Sequence, residues 1–235
     1  MGALMVVLAV IVVTGAGAGY LYLKKKRRAE LTAFASQQGL QYSPGDPVGL
    51  IDPSFPLFQM GDGRGCENVL WGTWQGLPLA EGDYWYYTRG SRGERNYHHY
   101  SVVVVTLEQD VFVPYVSITR QSLLSTIGDH LGLEGIAFES EAFNRMFTVR
   151  AKEREFAFKL IDEQMMQWLL STEVRLGYQV FGGKVLVYGH RFAPAALIPI
   201  LGSAKAFHDH IPRLVWTEYA HYGNGVPPTA AGGPQ

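Results

Sequence analysis

The sequence predicts an α+β protein: an N-terminal transmembrane helix followed by a mostly antiparallel sheet with several packing helices. Three observations carry that prediction. An uncharged apolar run, Met5 to Leu23, ends in Lys24-Lys25-Lys26-Arg27-Arg28. Alternating β-branched and aromatic segments follow, joined by short turn signals. Helical spacing returns only in patches between them, without the strict strand–helix alternation of a parallel α/β fold.

From Leu4 to Leu23 there is no Asp, Glu, Lys, Arg, His, Asn or Gln. As a helix this run spans roughly 30 Å, the thickness of a bilayer's hydrocarbon core. The basic cluster follows the run, so the positive-inside rule puts the N-terminus outside and the remaining chain in the cytoplasm, a single-pass protein of the cell membrane. A cleaved signal peptide carries its positive charge ahead of the apolar run, the opposite order, although Ala16-Gly17-Ala18 resembles a cleavage site. Lys24, Lys25, Lys26, Arg27 and Arg28 form a candidate membrane-surface cluster. Gly15 and Gly19 form a G-x-x-x-G that suits close packing against a second membrane helix, hence a homodimer.

The formal net charge of the 235 residues is −1, and removing the five positives at 24–28 leaves −6 for the rest. An acidic domain without a basic stripe argues against nucleic-acid binding. The single cysteine, Cys66, excludes an internal disulfide and suits a reducing compartment.

Down the chain, residues 1–28 read as anchor and stop, and 29–56 as a juxtamembrane helix and proline-rich linker. Leu31, Phe34, Ala35 and Gln38 keep helical spacing and Gly39 supplies a C-cap. Pro44, Pro47, Pro53 and Pro56 then predict a loop or broken extended segment. An α+β domain occupies 57–222, with a candidate division into two halves near 134. Its strands are 68–74, 79–88, 100–107 and 111–119, the last an edge or irregular strand because of Pro114. A short helix over 122–131 follows. Ser140 caps a turn and Phe147-Thr148-Val149 forms a strand. Helical spacing runs from Phe156 through Asp162 to Leu170, and Gly182-Gly183 turns a hairpin. A last helix carries Leu197, Leu201, Ala204, Phe207 and Ile211 and ends near Pro212. Residues 223–235 are rich in Gly, Pro and Ala and read as a disordered tail.

Phe138-Glu139-Ser140-Glu141-Ala142-Phe143-Asn144-Arg145-Met146-Phe147-Thr148-Val149, then Phe156-Ala157 and the run from Ile161 to Leu170, resembles a group of bacterial membrane-anchored proteins carrying a domain of unknown function. The valine-rich strand ending at Leu107 and the Gly82-Asp83-Tyr84 segment are similar to the same group. The resemblance implies an anchor plus a soluble domain over roughly residues 30–215. It implies no activity.

Candidate chemistry is sparse. Cys66, in a glycine-rich polar loop, requires a nearby base such as His98 or His99 to act as a nucleophile. His208-Asp209-His210 lacks the i, i+4 spacing of zinc helices, and His98-His99 alternate across a strand. Glu81 and Asp83 share a strand face and read as solvated polar surface or an acid–base pair. Tyr84, Trp85, Tyr86 and Tyr87, near Trp71 and Trp74, read as cross-strand packing or a candidate binding patch. Met165, Met166 and Trp168 read as core. No metal and no cofactor is expected. The reading is a membrane-anchored cytoplasmic binding or scaffold domain, with the bilayer and a protein as partners. The alternatives are a membrane-tethered hydrolytic enzyme and a lipid or small-molecule sensor.

Overall fold

The computed structural model describes residues 2–107, 111–121 and 133–219, with side chains from residue 18 onward. Helix α1 (Gly2–Gln38) is continuous through the basic cluster. It stops at Gly39 (φ +70°), where Leu40 N–H donates to the Ala35 carbonyl at 2.8 Å, the long-range bond of a Schellman cap. Among the described residues no helix is long and apolar enough to cross a membrane. Most of the run Met5–Leu23 falls within 1–17, whose side chains are outside the described set.

Nine strands among the described residues form one antiparallel sheet, ordered β1-β2-β3-β4-β9-β8-β5-β7-β6. They are β1 (Gln41–Ser43), β2 (Gly63–Trp74), β3 (Leu77–Arg89), β4 (Arg95–Thr106), β5 (Val113–Arg120), β6 (Gly135–Ile136), β7 (Phe147–Ala151), β8 (Gly177–Gly182) and β9 (Lys184–His190). Strand β9 lies between β4 and β8, and β5 lies between β8 and β7. The sheet therefore has no break at residue 134.

Two boundaries move for identifiable reasons. Strand β2 begins at Gly63 rather than Asn68, because Asn68 (φ +56°) sits in a bulge that lets the glycine-rich stretch keep pairing. Strand β5 is interior, not an edge, and its register shifts between Val113 and Val116, so Pro114 falls where no ladder bond is required. The turn between β2 and β3 is Gln75-Gly76 (φ +49° and +81°), as a primed hairpin turn demands.

One face of the sheet carries Leu70, Leu79, Val103, Ile118, Val180 and Val187, covered by Leu31 and Ala35 of α1 and by the later helices. These are α2 (Glu141–Met146), α3 (Arg154–Leu160), α4 (Glu163–Ser171), α5 (Leu197–Asp209) and α6 (Arg213–Tyr219). Ser140 caps α2, as its sequence predicts. The expected helix across 156–170 breaks in two because the Asp162 carboxylate accepts from Met165 N–H (2.8 Å) and starts α4 afresh. On the other face, Leu50, Phe55, Leu57 and Phe58 from the proline-rich segment pack on Tyr84, Tyr86, Tyr100 and Tyr188. The linker is thus a second covering layer. The helix expected at 122–131 and the tail at 223–235 lie outside the described residues.

Candidate functional site at the helix–sheet junction

Period-2 alternation along β3 puts Leu77, Leu79, Glu81, Asp83, Trp85 and Tyr87 on the face beneath α1. The first two join the core there. Glu81 and Asp83 are 2% and 3% exposed, so they are not solvated surface.

Asp83 is the centre of a buried ionic cluster. Arg27 grips it with two bonds, Nε to Oδ2 at 2.7 Å and Nη2 to Oδ1 at 2.5 Å. Arg191, just past β9, donates to Oδ2 at 2.9 Å, and Asn68 Nδ2 donates at 2.8 Å. Arg27 also donates to the Phe192 carbonyl (2.9 Å), and Tyr42 donates to Asn68 Oδ1 (3.0 Å). Burial alone would raise the Asp83 carboxyl, but the bonds and charge of Arg27, then Arg191, hold it below its ordinary value. The bidentate fork fixes the rotation of α1 about its own axis as well as its position. One turn earlier, Lys24 meets Glu67 at 2.7 Å.

Glu81 takes the opposite state. Neither carboxylate oxygen has a hydrogen-bond partner. Burial first, and Asp83 second, push its pKa well above the ordinary 4.5, against the pull of Arg27 and Arg191. It sits in the junction as a neutral acid.

The basic cluster is therefore divided. Arg27 and Lys24 are drawn onto the domain, and Lys26 reaches Glu30 at 3.9 Å along the helix. It is not a uniform set of free membrane-surface charges. Lys25 and Arg28 complete the run, and the Arg28 Nε is buried without a partner. A cleft of about 240 Å³ opens beside the junction, lined by Tyr20, Leu23, Lys24, Arg27, Glu67, Asn68 and Arg191. Gly19 has open space around it, while Gly15 belongs to the residues whose side chains are not described.

The aromatic run divides too. Tyr84 and Tyr86 are fully buried on the opposite face, so a patch of all four residues does not exist. Trp85 and Tyr87 are half-buried and meet Tyr97 of β4, with ring centroids 5.8 and 5.5 Å apart. Gly65 and Gly63 of β2 leave room for these rings, since a Cβ there would fall 2.7 Å from Trp85 and 2.5 Å from Tyr87. Arg95 stacks 4.8 Å over Tyr87.

The other candidates do not converge. Cys66 packs with the opposite-face cluster, and burial, then the Asp46 charge, pushes its thiol up, the reverse of what a nucleophile needs. His98 stacks on Tyr86 and His99 near Tyr97, on opposite faces. His208 meets Trp216 at a tilt and His210 stacks on Trp168, and no metal-binding group occurs among the described residues. Met165 is core, with Met166 and Trp168 packed against it.

Arg191 and Asn68 are the site residues that sequence reasoning missed. One signal was present: Lys24, Arg27, Leu31, Ala35 and Gln38 follow a 3-4-4-3 spacing, which puts two of the basic residues on the core-facing stripe.

The chain is thus an α+β domain with a large antiparallel sheet, packing helices and a long N-terminal helix locked to the sheet by ionic bonds. The same fold occurs in the crystal structure of the mycobacterial trehalose monomycolate transport factor A, TtfA, with a TM-score of 0.59 over 79% of this chain and 96% of that chain, at 14% identity. No family model and no curated protein matches the chain.

Proposed function

We propose that this chain is a single-pass membrane protein whose cytoplasmic domain works by binding, with α1 as both anchor and rigid stalk. The observation that carries the proposal is the Arg27–Asp83–Arg191 cluster. An anchor joined by a flexible linker would let the domain tumble, whereas the Arg27 fork on the buried Asp83 carboxylate, with Lys24 on Glu67 and Gln38 on Trp74, fixes the domain's orientation to the helix. Such fixation suits a scaffold that presents one surface to a partner in or on the membrane. Tyr20, Leu21, Tyr22 and Leu23 support the placement, each about two-thirds exposed and uncovered by the domain.

TtfA is a transport factor, and a part in transport is compatible with the shared fold, which at 14% identity assigns neither role nor cargo to this chain. The hydrolytic alternative needs an activated group in a pocket, and Cys66 is tuned the other way. The sensor alternative needs a deep enclosed apolar cavity, whereas the junction cleft carries Lys24, Arg27, Glu67 and Arg191 in its lining and the larger clefts, of about 420 to 460 Å³, are open to solvent.

Membrane fractionation of the full chain tests the placement. The expected result is retention after alkaline extraction, with the domain cut by protease only in inverted vesicles. Digestion from outside intact cells, or a mature chain beginning after Ala18, overturns it. Crosslinking of the detergent-solubilised chain tests the binding role, with one discrete adduct expected. A substrate turnover lost on Cys66→Ala would overturn it.

A further inference from the structure

The stripe of α1 that faces the sheet is sealed at one end and open at the other. Tyr20, Leu23, Lys24, Arg27, Leu31 and Ala35 follow one helical face. Leu31 and Ala35 are 1% and 2% exposed, whereas Tyr20 and Leu23 are 65% and 64% exposed. Ahead of Arg27 the helix and the sheet part, and the cleft of about 240 Å³ fills the gap. Its lining is amphiphilic: Tyr20 and Leu23 belong to the end of the apolar run, and Lys24, Arg27 and Arg191 are cations. The volume lies below the roughly 300 Å³ at which small-molecule pockets begin, so it admits a headgroup and not a whole lipid.

The cations are not equally engaged. Each guanidinium nitrogen of Arg27 already has an acceptor, Asp83 for Nε and Nη2 and the Phe192 carbonyl for Nη1. Arg191 donates to Asp83 through Nη2, while its Nε and Nη1 have no acceptor among the described residues. Its backbone is pinned, since Arg191 N–H donates to the His99 carbonyl at 3.3 Å and Phe192 N–H to Ser101 Oγ at 3.0 Å. The donors are therefore in place before any ligand arrives. Lys24 meets Glu67 at 2.7 Å, with both side chains partly exposed. Two carboxylates, Glu67 and Asp83, stand against three cations, and Glu81 is neutral in the fold, so the junction keeps a positive charge.

We propose that this cleft binds one phosphodiester headgroup of an anionic phospholipid, its phosphate on Arg191 and Lys24 and its first acyl carbons along Leu23 and Tyr20. This rests on the anchor reading above, which sets Tyr20 and Leu23 at the bilayer boundary. Free phosphate offers the same anion but leaves Leu23 and Tyr20 wet. The bound lipid joins a residue just past β9 to the membrane edge of α1, so the bilayer itself braces the helix against the sheet.

The test purifies the full chain in a neutral detergent and follows its titration with phosphatidylglycerol, phosphatidylcholine or inorganic phosphate by native mass spectrometry. One saturable phosphatidylglycerol adduct is expected, about ten-fold tighter than phosphatidylcholine, with no inorganic phosphate adduct at the same concentrations. Arg191→Gln should weaken it about ten-fold. Glu67→Gln removes the acid from the lining and frees Lys24, so it should tighten the adduct about three-fold or more. The second variant keeps the test decisive should the first loosen the fold. Several equivalent adducts indifferent to both substitutions would mean a diffuse basic surface and overturn the proposal. Inorganic phosphate bound as tightly as phosphatidylglycerol overturns the lipid assignment. A chain that floats with vesicles but shows no saturable adduct overturns this inference alone. A chain that stays dispersed without detergent and does not float overturns the anchor reading and this inference with it.

Discussion

Replacing Asp83 by Asn keeps the shape of the side chain and removes its charge. In the native protein that carboxylate accepts two bonds from Arg27, one from Arg191 and one from Asn68, at 4% side-chain exposure. In the variant two guanidiniums face a neutral amide where the carboxylate stood, with buried Glu81 the acid that remains on that strand face. Breaking a buried pair from one side costs about 3–5 kcal/mol. Asp83→Asn is expected at the upper end of that range because two cations are stranded. Arg27→Met is expected nearer the lower end, since Asp83 keeps Arg191 and Asn68. The double variant should cost less than the two single costs combined, by about 2 kcal/mol, because each change removes the charge the other leaves unpaired. The assay is urea unfolding of the full chain in mild detergent, followed by tryptophan fluorescence. An Asp83→Asn variant within about 1 kcal/mol of wild type would refute the argument. So would additive costs at positions 27 and 83.

Three further outcomes are expected. Glu81, neutral in the fold, ionises in the unfolded chain as pH rises through 4.5, so its contribution to stability is fully present below that pH and declines above it until the raised folded value is reached. Glu81→Gln should therefore match wild type near pH 4 and exceed it increasingly as pH rises toward 7, and parallel stability profiles would contradict this. Cys66, partly buried and with a raised thiol, should react with a water-soluble disulfide reagent at least about 10-fold more slowly than a free thiol, and rapid labelling of the native protein would contradict that tuning. Gly65→Ala sets a Cβ 2.7 Å from the Trp85 ring, so a loss of about 1–2 kcal/mol with a shift in tryptophan emission is expected, and an unchanged spectrum would count against the packing described.

The strands and most helices were legible because their signals are local. Val102 to Val105, the paired glycines at 182–183 and the Ser140 cap each depend on near neighbours in sequence. What was not legible depends on distant pairing. Pro114 reads as an edge marker, and only the register shift against β8 makes it tolerable in the interior. The proline-rich segment reads as linker, yet Phe55, Leu57 and Phe58 find a tyrosine-lined face that the strands assemble from three places in the chain. Glu81 and Asp83 read as surface because two acids on one strand usually are. Their burial follows from Arg27 and Arg191, separated by 164 residues and brought together only by the fold.

The sheet is broad, but it ends in β1 with three residues and β6 with two. At one margin β1 covers only Val69, Leu70 and Trp71 of the twelve-residue β2, so the stretch of β2 from Gly63 to Glu67 is laddered on its β3 side alone and leaves backbone open to an incoming strand. Along the rest of the margin a docking chain has side chains alone to engage, and its selectivity there comes from shape and charge.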